Sequence, residues 1–146
     1  MKCTDRALLV TLCLTLLLAF GCDEEDDSSS PTSPANATEL EGTWTGYEQG
    51  SSLQWTWNFT GATLNVTTGS TEVYGGTFTV NTTTSPKRLT VTITSSSIPQ
   101  YEGQTARAAY ELSGNSLTVA SYEPGNTSYP PSLTASLARV WDLTKQ

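Results

Sequence analysis

The feature that most constrains this fold is a strict alternation of apolar and polar residues along several short stretches. In residues 53–60 (Leu-Gln-Trp-Thr-Trp-Asn-Phe-Thr) every second residue is large and apolar. Side chains of a β-strand point alternately to its two faces, so this pattern predicts a strand with one buried and one solvated face. The pattern recurs at 89–94, 106–112 and 137–143. Threonine fills many of the polar positions, and its branched Cβ favours extended backbone.

Turn signals separate these stretches and set the number of strands. Glycines at 50, 61, 69 and 114 tolerate the positive φ that tight turns require. The predicted strands span 41–49, 53–60, 62–68, 72–80, 88–95, 105–113, 116–122 and 137–144. Short connections join antiparallel neighbours, so we predict an all-β domain, a small eight-stranded antiparallel up-and-down barrel that leaves no sheet edge exposed. A two-sheet β-sandwich is the alternative, because counting strands cannot separate the two.

Residues 1–21 are typical of a secretory signal. Two basic residues precede the uncharged run 7–20, which is shorter than the roughly 20 residues of a membrane-spanning helix. The sequence Leu-Ala-Phe-Gly-Cys at 18–22 resembles the lipobox of bacterial lipoproteins. The resemblance implies that the signal is cleaved before Cys22 and that acyl chains on Cys22 anchor the protein to a membrane, because two or three chains hold stably where one does not.

A tether is predicted at 22–38, ahead of a folded domain at 39–146. Five consecutive acids at 23–27 precede a Ser/Pro-rich stretch, and such a composition buries too little apolar surface to fold. Acids after the cysteine resemble two opposite sorting signals of lipoproteins, one for inner-membrane retention and one for surface export. The expected location is therefore the bacterial cell envelope, with the membrane and leaflet left open.

The domain carries motifs similar to those of lipocalin-like domains in bacterial lipoproteins. Residues 42–44 form the G-x-W of the first strand, and 110–119 form a late Tyr-Glu-Leu-Ser-Gly-Asn hairpin. The ordered motifs between 78 and 131 resemble more closely an uncharacterised domain family abundant in planctomycetes, which has no established activity. The resemblance implies a lipocalin-like barrel in which Trp44 closes one end. It also implies that Arg139, on the last strand, stacks on the Trp44 indole as a cation–π pair.

Composition argues against catalysis and against nucleic acid. Histidine is absent, and all three cysteines lie within the first 22 residues. The domain therefore lacks the commonest general base, the commonest zinc ligand and any Ser–His or Cys–His pair. We expect no enzyme activity, no metal and no cofactor. The net charge of −7 and the scarcity of Lys and Arg argue against a nucleic-acid partner.

Two functions remain open for the barrel interior. The candidate ligand-binding residues are six aromatic residues on predicted inward faces: Trp55, Trp57, Phe59, Phe78, Tyr110 and Trp141. They either surround a cavity for a small hydrophobic or lipid-like ligand, or fill the barrel completely. In the second case the loops contact an envelope protein, and the loop 122–133 is the candidate surface. An enclosed void below about 300 Å³ favours the filled barrel, because usual ligand pockets are larger.

Overall fold

Backbone hydrogen bonds join eight antiparallel strands into a closed barrel in the computed structural model, which describes residues 39–146. The strands are β1 (Gly42–Glu48), β2 (Gln54–Thr60), β3 (Thr63–Thr68), β4 (Thr71–Asn81), β5 (Lys87–Ser96), β6 (Thr105–Ser113), β7 (Ser116–Ser121) and β8 (Arg139–Lys145). A short 3₁₀-helix, Pro99–Tyr101, lies between β5 and β6. Each strand pairs with the next, and β8 returns to pair with β1. The predicted barrel is therefore confirmed, and the open sandwich is excluded.

Three sequence predictions concern earlier parts of the chain. The signal peptide at 1–21, the lipidated Cys22 and the tether at 22–38 all lie outside the described residues. They remain predictions.

Two of the hairpins depend on a glycine at the first turn position. The β2–β3 turn begins at Gly61 and the β6–β7 turn at Gly114, and φ is +57° and +58° at these residues. A side chain would strain this left-handed backbone, which glycine adopts freely. The flanking residues pair directly across each turn, so both hairpins are tight.

Side chains from alternate positions of the strands fill most of the interior. The largest fully buried ones are those of Trp44, Phe59, Phe78 and Tyr110. Phe59 and Phe78 pack edge to face with their ring centroids 5.0 Å apart. Burial of each such side chain contributes about 1.5–3 kcal/mol, and no charged side chain is buried within residues 39–146. The described core is therefore apolar throughout.

The contact between β1 and β8 closes the barrel and is tightest at Gly46. A Cβ at this position would lie 1.9 Å from the carbonyl oxygen of Asp142. Gly46 faces the interior between Leu143 on β8 and Trp55 on β2. The absent side chain therefore allows both the close approach of the strands and the packing of the indole beside it.

The last strand begins later than the alternation predicts. Leu137 was expected on the inward face of this strand, but it has φ of +69° and its side chain is 93% exposed. A positive φ is incompatible with an extended strand, so β8 begins at Arg139. Leu137 belongs to the β7–β8 loop.

The barrel has two different ends. We call one end the floor; it carries the loops 61–62, 82–86 and 114–115 and is where the described chain begins. We call the other end the mouth; it carries the longer loops 49–53, 97–104 and 122–138 and the short turn 69–70.

The first described residues close the floor. Leu40 is fully buried, and its carbonyl oxygen accepts a hydrogen bond of 2.8 Å from the indole N–H of Trp44. The Glu39 carboxylate accepts a hydrogen bond from the Tyr110 phenol and forms an ion pair of 2.7 Å with Lys87. These contacts hold the segment 39–40 across the end of the barrel.

Candidate functional site

The interior is not completely filled at the mouth. A cavity of about 60 Å³ lies there, with Trp55, Trp57 and Trp141 on one side. Aliphatic side chains supply the rest of the wall: Leu64, Val66, Leu89, Val91, Ile93, Ala106 and Ala108. Its outer part is surrounded by Tyr74, Ser121, Tyr122, Glu123, Pro124 and Arg139. Because Glu123 is solvent-exposed, the cavity reaches the surface at this rim.

The six aromatic residues predicted for ligand binding divide into two groups. Trp55, Trp57 and Trp141 line the cavity. Phe59, Phe78 and Tyr110 do not line it, because they are buried deeper in the barrel. Phe59 packs edge to face against Phe78, and the Tyr110 phenol donates to Glu39 at the floor. The structure therefore brings three of the six together at a cavity and uses the others as core.

Tyr74 is a cavity residue that the sequence analysis missed. Tyr74 lies an even number of residues before Phe78 on β4, so both side chains point to the same, inward face of the strand. Two glycines at 75 and 76 separate them and hide the alternation. The four-residue spacing from Phe78 is the signal that would have identified Tyr74.

Arg139 caps the tryptophan wall at the mouth. Its guanidinium carbon lies 4.9 Å from the ring centroid of Trp141 and 5.5 Å from that of Trp55. Its Nε and Nη2 atoms donate to the two carboxylate oxygens of Glu48, at 2.7 and 2.6 Å. This bidentate pair fixes the guanidinium over the rings.

The predicted stacking of Arg139 on Trp44 is wrong. The cation over the Trp44 ring is Lys145, whose Nζ lies 5.3 Å from the ring centroid. The reason is the register of β1 and β8, which pairs Trp44 with Lys145 and places Arg139 at the opposite end of the strand. The basic residue of the last strand that does cover Trp44 is Lys145, six residues after Arg139.

The charges at the mouth are compensated. The hydrogen bonds that Arg139 donates to Glu48 raise the pKa of Arg139, which therefore stays charged. Burial raises the pKa of Tyr74, so its phenol stays neutral. The rim also carries Glu123, which accepts a hydrogen bond from Tyr101. One cation faces two carboxylates here, so the mouth does not favour an anion.

Three indole N–H groups at the cavity have no hydrogen-bond partner among residues 39–146. They are the Nε1 groups of Trp55, Trp57 and Trp141, all of which are inaccessible to solvent. These side chains form one cluster, in which the ring centroid of Trp141 lies 5.7 Å from that of Trp55 and 5.5 Å from that of Trp57. A buried donor without a partner costs about 1–3 kcal/mol. The indole N–H of Trp44, by contrast, donates a hydrogen bond to the Leu40 carbonyl oxygen.

The β7–β8 loop, predicted as a partner surface, borders the cavity at residues 122–124 and packs on the outside of the barrel at Tyr129. The Tyr129 ring lies between Arg88 and Arg107, with guanidinium carbons 4.9 and 5.9 Å from its centroid. Its phenol is 2.5 Å from the hydroxyl of Thr90 on β5. This tyrosine therefore attaches the loop to β5 and β6.

A second depression lies at the floor. It measures about 270 Å³ and is formed by residues 84–87 and 110–113. It contains none of the unpartnered buried side-chain groups found within residues 39–146, all three of which are at the mouth. The mouth is therefore the stronger candidate site.

Within residues 39–146 no cluster of His, Cys, Asp and Glu could hold a metal ion. No helix in the described range is long and apolar enough to cross a membrane.

Comparison of the chain with protein-family models, with curated proteins and with solved structures finds no match.

Proposed function

We propose that this protein is a non-catalytic, lipid-anchored binding protein of the bacterial cell envelope that takes a small hydrophobic ligand at the barrel mouth. The observation that carries the proposal is the cavity itself, which is apolar, walled by three tryptophans and reached from the rim. Concave apolar sites with a few polar groups are the usual form of small-molecule sites.

The cavity volume limits the ligand. About 60 Å³ is well below the roughly 150 Å³ of an apolar cavity that holds benzene. It is also below the roughly 300 Å³ expected of ordinary ligand pockets. A lipid enclosed within the barrel is therefore disfavoured. The ligand we propose is a small molecule, or a larger one that inserts only its end.

The proposed anchor is compatible with an accessible mouth. The described chain begins at the floor, at the opposite end of the barrel from the cavity. A tether of the length of residues 22–38 spans up to about 60 Å when fully extended. An acylated Cys22 would thus hold the domain by its floor and leave the mouth free to meet a ligand.

A protein-interaction role is the second candidate, and exposed apolar side chains at the mouth favour it. Leu53, Ile98 and Leu137 lie on three different mouth loops and are 52%, 39% and 93% exposed. Together with the small cavity, they support a mostly filled barrel whose loops contact an envelope protein. Exposed apolar groups that share one end of a domain are typical of contact surfaces.

The ligand proposal is tested by what the protein carries from its host. The full chain is purified from host membranes and denatured, and released small molecules are identified by mass spectrometry. The Ala106→Leu variant is the control, because the longer side chain extends into the cavity. We expect one apolar molecule from the wild type and none from the variant. Equal recovery from both proteins would contradict the proposal.

The second candidate has its own test. A photo-crosslinking residue replaces Leu137 at the mouth or, as control, Thr79 on the outer face of β4. A protein-interaction role predicts one reproducible adduct in the native envelope from position 137 and none from position 79. Absence of an adduct from position 137 would argue against this role.

A further inference from the structure

We propose that Trp55, Trp57 and Trp141 form a donor set that selects ligands carrying an uncharged hydrogen-bond acceptor, such as the oxygen of a ketone, ester or ether. The inference rests on the ligand-binding function proposed above and specifies the chemistry of the ligand. It starts from three tryptophans that line the cavity and whose indole N–H groups are buried and lack partners among residues 39–146.

The three groups differ from the fourth tryptophan of the barrel in one respect. Trp44 donates to a backbone carbonyl at 2.8 Å, so its N–H is satisfied within the protein. The mouth tryptophans have only neighbouring rings, and the edge-to-face contact between Trp55 and Trp141 offers at best a weak N–H···π interaction. The three side chains line the cavity, so a ligand oxygen that enters between their rings would give these donors a partner.

The walls of the cavity exclude other polar ligand groups. The Ser121 hydroxyl lies at the rim, because Ser121 pairs with Arg139 in the strand register. Apart from the indoles the inner wall is aliphatic, so a ligand donor there would find no side-chain acceptor. A buried ligand donor would therefore lose its hydrogen bonds to water without replacement. The inner part of the site therefore favours ligand groups that accept hydrogen bonds and disfavours hydroxyl or amine groups that donate them.

The charges at the rim exclude ions. Arg139, the only cation among the residues that line the cavity, is already held by both carboxylate oxygens of Glu48. A carboxylate ligand would meet Glu48 and Glu123 and would lose its hydration without gaining a free counterion. A cationic ligand would have to displace Arg139 from the faces of Trp55 and Trp141. An uncharged acceptor avoids both costs.

A matched pair of probes tests the inference. Acetone and 2-methylpropene are both smaller than benzene and have nearly the same shape, but only the ketone has an oxygen acceptor. Each is titrated into the full chain, labelled with ¹⁵N-tryptophan and anchored in lipid nanodiscs, and the four indole N–H resonances are followed. We expect the ketone to bind about tenfold more tightly, as one net hydrogen bond allows. The Trp55, Trp57 and Trp141 resonances should shift, and that of Trp44 should not.

The outcomes separate this inference from the function beneath it. Equal affinity for the two probes, with binding abolished by Ala106→Leu, would overturn the acceptor preference and leave the apolar site intact. Binding of neither probe would overturn both proposals. Shifts at Trp44 as large as those at the mouth would also overturn the inference, because they would indicate binding away from the cavity.

Discussion

The Tyr110 phenol donates a hydrogen bond to the carboxylate of Glu39, a residue 71 positions earlier in the chain. This contact joins the first described residue to β6 across the floor of the barrel. The same carboxylate pairs with Lys87 on β5. The segment that leads into β1 is therefore attached to the far side of the barrel before the first strand begins.

Stability should fall at alkaline pH because of this phenol. Burial, and next the hydrogen bond to Glu39, raise the pKa of Tyr110 well above its ordinary value of 10.0. Above that pH the unfolded chain loses the proton and the folded chain keeps it, so unfolding becomes more favourable. One proton corresponds to about 1.4 kcal/mol per pH unit. Stability is thus unaffected by this group below pH 10 and declines above it.

Urea unfolding between pH 8 and 11 measures this decline. Tyr110→Phe should reduce the slope above pH 10, although the phenols of Tyr74 and Tyr101, whose pKa values are also raised, keep part of it. The control is Tyr47→Phe, because the Tyr47 side chain is half exposed on the outer face. If both variants retain the wild-type slope, the role assigned to Tyr110 is wrong.

Trp44→Ala should destabilise the domain by about 3–5 kcal/mol, because it removes a fully buried indole and leaves a void at the floor. Trp44→Phe should cost less, since it keeps a ring but leaves the Leu40 carbonyl without its donor. Denaturant midpoints measure both effects. A loss under about 1 kcal/mol for the alanine variant would show that Trp44 does not hold the floor together.

Arg139 and Lys145 should report on different tryptophans. Arg139→Ala removes the cation over Trp55 and Trp141, whereas Lys145→Ala removes the one over Trp44. Each contact is expected to contribute about 0.5–1 kcal/mol, since both cations are only partly buried. Indole ¹⁵N–¹H shifts distinguish the two variants. Movement of the Trp44 resonance in Arg139→Ala would contradict the register described here.

Gly46→Ala should be one of the most damaging single-methyl additions. The new Cβ would lie 1.9 Å from the Asp142 carbonyl oxygen, so β1 and β8 would have to separate. Overpacking of this kind costs about 1–3 kcal/mol or more. Thermal unfolding compares it with Thr43→Ala on the outer face of the same strand. Equal melting temperatures for the two variants would argue against a tight closure at Gly46.

Cys22→Ala tests the predicted anchor. Without the thiol no acyl chain can be attached, so the protein should move from the membrane to the soluble fraction. Fractionation followed by immunoblotting measures the distribution. Cys13→Ala is the control, because Cys13 lies within the predicted signal and should leave membrane attachment unchanged. Membrane retention of Cys22→Ala would contradict the lipoprotein assignment.

The strands could be predicted because each carries its own local signal. The alternation in 53–60 fixes which side chains of β2 are buried, and glycines at the turns fix where strands end. The limit of this signal is visible at residue 137, where apolar alternation continues into a loop. Neither barrel closure nor the choice between barrel and sandwich has a local signal, because both depend on pairing between β1 and β8.

The candidate site was only partly predictable for the same reason. The alternation along each strand identified Trp55, Trp57 and Trp141 as inward-facing, but it does not indicate how far along the barrel axis a side chain lies. Arg139 was assigned to the wrong end because its depth follows from the register of the last strand against the first. Cavity volume is harder still, since it is the small difference between the space inside the strands and the side chains that occupy it.

The pairing of β1 with β8 makes the barrel a ring with one seam. Every other strand pair joins sequence neighbours, so each closes a much shorter stretch of chain than the seam does, even across the 122–138 loop. Only the seam joins the two ends of the domain. A molecule that opens there keeps seven strand pairs and exposes two unpaired strand edges at once. Those edges are complementary to the edges of any other opened copy, so the seam is where this protein would exchange strands and begin to aggregate.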